Sequence, residues 1–507
     1  MEMSDYYRRG LELAEAGQYQ EGWDCLREHL RGAPQDAQAL NDAGAILHCL
    51  GRTEETIGLL AQARQLEADN AQIVWNLAEA YLGDGRAAEA ACLFDDMERM
   101  GTLNIDVLNR TATLLLDQGN KGQALEVLLR SYRLWPEQKV LPPILDAIRA
   151  KRPKVAFFRN GTGEDGVLAD LCEFVRQRFQ TKFYEGRSPE GIAGLMRWSD
   201  IAWFDGGEMT VEACGPAALG GEKITPGGGG VTRPKIVASV RRSDVRDRWA
   251  KAVRWENVDI LAQIGSGAVE EALLQQVPDL RSRTRLAVVP NGVNLRRYAF
   301  RRRDRGKHLA CIGGLTLEAN PAFLLQCMQK LYYLDAGYRL FFSGTFESPA
   351  LEQYLRHMVR TLDLTDVISF EPHPGDWNGW FSDKHFIVAG GIGEDEVEAL
   401  LTGMACGLKP VIHNFPGADQ LLPPPYLFNI AEQFCEQVLS NDYEPRQYRR
   451  FVEERYPVEQ QLKQVDGVLT QLETEIELQR TAALSREATT AMDHSGMPSA
   501  PEGVRQV

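Results

Sequence analysis

The stretch FIVAGGIGEDEVEALLTGMACGLKPVIH, residues 386–413, concentrates groups suited to binding an anion. Phe386 to Ala389 reads as a short buried strand. Gly390, Gly391 and Gly393 form a turn around Ile392, Glu394 opens an acidic helix start, and Lys409 to His413 reads as a second strand. A strand that turns through glycines into a helix presents backbone N–H groups and a positive dipole end to a negative ligand. Glu394, with Asp395 and Glu396, is also suited simply to offset that dipole. A second glycine run, Gly161-Thr162-Gly163-Glu164-Asp165-Gly166, follows KVAFF at 154–158, and Glu185 lies 19 residues beyond Gly166. That spacing matches a dinucleotide-binding fingerprint. Glu164 and Asp165 oppose that reading, because they set negative charge where a pyrophosphate would lie. Arg241 and Arg242 follow KIVASV (235–240), and Arg296 and Arg297 follow VVPNGVNL. These four are the candidate cations for a phosphate, each with a plain surface role as the alternative.

Short β-branched and aromatic runs supply strands to position these residues. KVAFF (154–158), IAWF (201–204), KIVASV (235–240), DILAQI (259–264) and RLAVV (285–289) form one set. HLACI (308–312), RLFFSG (339–344), VISFE (367–371), FIVAG (386–390) and PVIH (410–413) form another. Buried strands alternating with helical segments imply parallel, doubly wound sheets that bind ligands at their carboxyl ends. Two sets imply two Rossmann-like lobes. The expected boundaries are 151–295 for the first lobe, 296–480 for the second with its closing helices, and a disordered polar tail over 481–507.

Ahead of the lobes, Gly17, Gly51, Gly85 and Gly119 recur every 34 residues. Gly10, Gly44, Ala78 and Ala112 repeat in the same register, as do Leu26, Leu60, Phe94 and Leu128. This is the period and pattern of tetratricopeptide repeats (TPR), two antiparallel helices per unit, in a helical domain over 1–150. Stacked units bury a shared core and leave a concave face, expected to hold a protein or peptide; a spacer or dimerisation array is the alternative.

The chain of 507 residues is 44% hydrophobic and 25% charged, enough for several cored domains. No apolar run approaches the length of a membrane span, and MEMSDYYRRG lacks the apolar core of a signal peptide, so the expected location is cytoplasmic. Nine cysteines without a C-x-x-C pair predict scattered thiols rather than zinc ligands or disulfides. A net charge of −15 argues against nucleic acid as a partner. Against that acidity, ten basic residues and one acid, Asp304, fall between Arg281 and Lys307. That segment, 281–307, is expected as a solvated loop or as a surface for peripheral membrane contact.

Five segments together resemble family-4 glycosyltransferases of the GT-B fold. They are SDIAWFDGGE (199–208), RWENVDILAQIGSGA (254–268), VVPNGVNLRRY (288–298), CIGGLTLEANP (311–321) and 386–413, in the family's order over about residues 153–440. The resemblance implies metal-independent transfer of a sugar from a nucleotide-sugar donor, with retention at the anomeric carbon. No D-x-D is present to hold a divalent ion, and no cofactor is implied, the nucleotide sugar being a substrate. The donor is then expected at Gly313, Gly314, Gly391, Gly393, Glu394 and Thr402, and the acceptor side at Gly161, Gly163, Asp205 and Arg242. Glu394 falls on the first of the family's two glutamates, as a catalytic contact to donor-sugar hydroxyls, and Thr402 falls on the second, which holds the ribose. The family's diphosphate-binding Arg and Lys fall on Gly314 and on Ala319 or Asn320, and its cleft His falls near Arg241. Two missing charge-assisted bonds are worth about 3–6 kcal/mol, so Arg241, as a catalytic cation, or Arg297 is expected to replace them. His373 and His413 receive no role as a base.

The first reading is a glycosyltransferase whose repeats recruit a protein acceptor or partner. The second is a catalytically inactive GT-B-like pair of lobes acting as a protein-interaction scaffold. A dinucleotide-dependent enzyme is the third.

Overall fold

The computed structural model describes residues 3–159, 167–186, 188–214, 233–245, 248–265, 268–394 and 397–494. It divides into two units, Met1–Arg152 and Pro153–Val507.

The first unit is an array of helical hairpins. Met3–Glu15 pairs with Tyr19–Gly32, Ala37–Cys49 with Thr53–Leu66, and Ile105–Asp117 with Lys121–Leu134; Leu141–Ala150 closes the array. In the third hairpin, Ala71–Gly83 is followed by a divided return, Ala87–Ala91 and Phe94–Arg99. Gly17, Gly51, Gly85 and Gly119 have φ of 77°, 72°, 72° and 78°, so each hairpin reverses in a conformation that strains other residues. Asp36, Asn70, Asn104 and Asn120 cap the following helices by accepting backbone N–H bonds. Close helix packing explains the small residues: a Cβ on Gly44 would lie 2.9 Å from Leu60 Cγ. Polar pairs one period apart register the hairpins. Asn76 Nδ2 donates to Asn41 Oδ1 at 2.9 Å, and Arg130 meets Glu98 at 2.6 Å.

The second unit holds two six-stranded parallel sheets. The first contains β1 (Lys154–Phe158), β2 (Gln180–Tyr184), β3 (Ile201–Asp205), β4 (Lys235–Val240), β5 (Ile260–Ile264) and β6 (Arg285–Val289), ordered β2-β1-β3-β4-β5-β6. The second contains β7 (His308–Ile312), β8 (Arg339–Ser343), β9 (Ile368–Glu371), β10 (Phe386–Ala389), β11 (Lys409–His413) and β12 (Leu427–Phe428), ordered β12-β11-β10-β7-β8-β9. Central strands such as β5 and β10 are buried along their whole length, which is why they read as unbroken apolar runs.

The chain crosses between the lobes twice, side by side. Val293 N donates to Tyr456 O at 2.8 Å, and Val458 N donates to Val293 O at 3.1 Å. Helix Val458–His494 then sends Val465, Val468, Leu469, Leu472 and Ile476 into the first lobe's core beside Val155, Phe157 and Trp203. Of the closing helices expected with the second lobe, this last one packs on the first, whereas Ala431–Leu439 and Pro445–Arg455 pack in the second lobe. The apolar spacing of i, i+3, i+4 and i+7 forms one stripe, and that stripe covers the first sheet. Glu475 fixes it further by pairing with Lys235 at 2.9 Å and with Arg285. The segment 481–494, expected as part of a disordered tail, continues this helix; TAALSREATTAM has four Ala together with one Leu, Arg, Glu and Met, which favour helix. The remaining tail, 495–507, lies outside the described residues.

The basic segment 281–307 is tethered rather than a free cationic face. Arg281 pairs with Glu270, Arg283 with Asp279, Arg285 with Glu475, Arg297 with Asp170 and Lys307 with Asp335. Arg303 donates to the Phe381, Lys384 and Cys406 carbonyls, and Arg305 to that of Val438. The expected peripheral membrane surface thus loses most of its cations to partners within the fold. Among the described residues, no helix is long and apolar enough to cross a membrane.

Candidate functional site

A solvent-open cleft with about 440 Å³ of empty space separates the two lobes. Arg241 and Arg242 follow β4, Ile264 and Gly265 end β5, and Asn291 lies in the first crossing; Glu394 and Glu398 approach from the second lobe. The approach is close at Gly265, whose φ is 109°. A Cβ there would lie 3.3 Å from Glu394 Oε2 and 3.6 Å from Asn291 Nδ2.

On the second lobe, the loops after β7 and β10 hold each other. Ile392 N donates to Glu318 O at 3.0 Å, and His413 Nδ1 lies 3.1 Å from Gly391 O. Gly313 N donates to Ser343 O at 3.1 Å, and a side chain at Gly344 would run into the Gly313 carbonyl. Gly313, Gly314, Gly391, Gly393 and Glu394 are therefore gathered at the carboxyl end of one sheet, as a ligand-binding crevice requires. Thr402 does not face this cleft. It is 7% exposed in helix Val397–Ala405, and its Oγ1 donates to Glu398 O at 2.9 Å. Glu398, one turn earlier, is the residue of this helix that lines the cleft.

On the first lobe, parallel pairing sets Asp205 of β3 abreast of Ser239 of β4. Trp203 Nε1 donates to Ser239 Oγ at 2.8 Å, and Ser239 Oγ donates to Asp205 Oδ1 at 2.7 Å. Arg241 Nη1 donates to both oxygens of Asp205, at 3.2 and 3.3 Å. Its backbone N–H is held by Asp244 Oδ2 at 2.7 Å. The Asp205 charge raises the Arg241 pKa against the opposing effect of burial, and Glu398 and Asp244 raise it further. Among the described residues, Nε and Nη2 of Arg241 have no hydrogen-bond partner, and the side chain remains 37% exposed. Arg242 lines the cleft and also a neighbouring crevice with Glu271, Gln275 and Gln420.

The other expected cations stand elsewhere. Arg297 Nη2 donates to Asp170 Oδ1 at 2.8 Å, beside Asn294 Nδ2 at 2.9 Å on the same oxygen. It ties the crossing to the first lobe instead of lining the cleft. Arg296 is exposed, and its backbone N–H bonds Asn294 Oδ1 at 3.1 Å. Gly161 and Gly163 lie outside the described residues. Sequence reasoning missed Gly265, Asn291, Glu398 and Ser239. Only Glu398 carried a signal, its four-residue spacing from Glu394.

No family model matches the chain, and no curated protein matches it in sequence. Among solved structures, Anabaena HepE in complex with UDP and glucose aligns at a TM-score of 0.51, with 10% identity, over 63% of this chain and 99% of that one. The HepE complex with UDP-glucose aligns at 0.50, with 11% identity, over 63% of this chain and 100% of that one. The two lobes are GT-B-like. A looser likeness, 0.39 at 12% identity, spans 96% of this chain and 98% of a mutant O-GlcNAc transferase from Thermobaculum terrenum. At such identities the GT-B resemblance is one of fold.

Proposed function

We propose that this protein is a glycosyltransferase that takes a sugar from a nucleotide-sugar donor, without a metal ion and with retention at the anomeric carbon. The observation that carries this reading is the pairing of roles across one cleft: Glu394 from the second lobe and Arg241 from the first, with Arg241 keeping Nε and Nη2 unengaged among the described residues. A guanidinium so placed stabilises charge on the leaving phosphates, and a carboxylate beside a glycine turn accepts bonds from sugar hydroxyls. The UDP and UDP-glucose complexes of HepE, whose fold these lobes share, support a nucleotide sugar as the ligand class.

In this reading Arg241 replaces the cations absent at Gly314 and at Ala319 or Asn320, Arg242 and Asp205 border the acceptor side, and Arg296 and Arg297 serve structure. The 34-residue period of the hairpin array fits tetratricopeptide repeats, whose concave face would recruit a protein acceptor or partner. Unpaired cysteines fit a reducing cytoplasm. A second reading, an inactive scaffold, is favoured by Thr402 being turned from the cleft and by the added negative charge of Glu398.

A thermal-shift titration against sugar nucleotides and nucleoside diphosphates tests the choice. A donor at about 100 times its Kd stabilises the folded form by about 2.7 kcal/mol. A raised melting temperature with one donor is the expected result. A folded sample that responds to none would leave the scaffold reading.

A further inference from the structure

Ser239 is completely buried and never reaches the cleft, yet its hydroxyl is used in both directions. It accepts from Trp203 Nε1 at 2.8 Å and donates to Asp205 Oδ1 at 2.7 Å. A hydroxyl both donates and accepts, and the Phe204 carbonyl at 3.3 Å is a more distant acceptor for its proton than Asp205 Oδ1. The consequence shows at Arg241. Carboxylate and guanidinium ordinarily pair as two forks, with two nitrogens on two oxygens. Here both Asp205 oxygens meet the single nitrogen Nη1, at 3.2 and 3.3 Å. A carboxylate free to turn would take Nε and Nη2 as well, and Arg241 would be spent inside the protein. With Oδ1 held by Ser239, those donors stay turned to the cleft.

We infer that Ser239 is a positioning residue that acts through Asp205 to keep the Arg241 fork open for a phosphate-bearing ligand; the inference rests on the donor-site reading above. Asp205, 12% exposed, accordingly supports Arg241 from its place at the border of the acceptor side.

The test uses the full chain with Ser239→Ala, Arg241→Ala and the double variant, titrated calorimetrically with UDP and with inorganic diphosphate. Ser239→Ala should weaken binding by roughly tenfold in the wild-type background and have no further effect beside Arg241→Ala. Equal losses in both backgrounds would overturn the inference, because a merely structural serine acts independently of Arg241. If Ser239→Ala does not fold, Asp205→Asn, which is nearly isosteric, must show the same dependence on Arg241. A ligand-free arm separates the two hypotheses. Phenylglyoxal labelling of Arg241, read by peptide mass spectrometry against the exposed Arg302, should change at least about threefold in Ser239→Ala if the fork is repositioned. Wild-type protein that binds neither anion defeats the donor-site reading, while the labelling result still decides the positioning; an unchanged labelling rate defeats the positioning itself.

Discussion

Gly265→Ala tests the cleft at its narrowest point. The residue has φ of 109°, so an alanine there costs roughly 1–3 kcal/mol in backbone strain. The new methyl would sit 3.3 Å from Glu394 Oε2 and 3.6 Å from Asn291 Nδ2. The nearer atom is the end of a flexible side chain, so it yields by a few tenths of an ångström, for about 0.5–1.5 kcal/mol of rotamer strain. Together these make about 1.5–4.5 kcal/mol, and for a unit as large as Pro153–Val507, at about 2.1 cal/mol/K of unfolding entropy per residue, each kcal/mol lowers the melting temperature by roughly 1.3 °C. Thermal unfolding should therefore fall by about 2–6 °C. The methyl also fills space beside the Glu394 carboxylate, where a donor sugar would lie, so affinity for the best-binding nucleotide sugar should drop about tenfold or more. Calorimetric titration and thermal unfolding of the same sample give both numbers. A lowered melting temperature with unchanged affinity would show that no ligand uses the gap between Gly265 and Glu394. An unchanged melting temperature would mean that the glycine is not held at this φ.

Glu394→Ala should abolish donor turnover while shifting the melting temperature little, because the side chain is only partly buried; retained turnover would remove Glu394 from the site. Deleting residues 1–152, a compact unit of its own, should spare donor hydrolysis and impair transfer to a protein acceptor, and persistent transfer would show that the hairpins do not recruit it. Gly292→Ala places a Cβ 2.9 Å from Val458 Cα and Gln461 Cβ, so it should force the two crossings apart and weaken donor binding without touching the cleft; wild-type affinity would contradict that coupling. Burial pushes the Cys214 and Cys327 thiols from 9.0 up to about 12. The unfolded chain ionises them first, so their contribution is full below about pH 9 and declines toward pH 12, by roughly 1.4 kcal/mol per pH unit for each thiol. Urea unfolding at pH 8 and pH 10 should show the decline, and equal stability at both would refute it.

The sheets were legible because buried parallel strands leave apolar runs that no surface requirement interrupts. β2 escaped notice because QTKFY is a half-exposed edge, and β12 because it is two residues long. The hairpin array was legible from its glycines, since a positive φ at every turn leaves few alternatives. Glu394, Arg241 and Arg242 could be found from sequence because each stands just beyond the carboxyl end of a recognisable strand. Gly265 and Asn291 could not, because their meeting with Glu394 depends on how one lobe faces the other, and Glu398 was signalled only by its four-residue spacing from Glu394. Thr402, which the family resemblance puts at a donor contact, is 7% exposed and does not line the cleft, and no feature of the sequence pattern signals that burial. The closing helix was misassigned because an amphipathic stripe shows that a face is buried, not which sheet buries it.

The charges of the cleft explain why both lobes must contribute. In the proposed reading, the second lobe has Gly314 and Ala319 or Asn320 where a cation would serve a diphosphate, and the segment after β10 brings Glu394 and, within helix Val397–Ala405, Glu398. Taken alone, that lobe would repel an anion. The two arginines that reverse the balance, Arg241 and Arg242, both project from β4 of the first lobe. Attraction between opposite charges falls with distance and is screened within about 10 Å at ordinary ionic strength. These cations can therefore serve a ligand seated on the second lobe only while the lobes remain close. The paired crossings at Val293 and Pro457, and the closing helix packed onto the first sheet, hold the lobes near enough for that. In the proposed reading, anion binding would thus depend on a tertiary arrangement, and the substitutions expected to impair it most selectively are those that move Arg241 while leaving its charge in place.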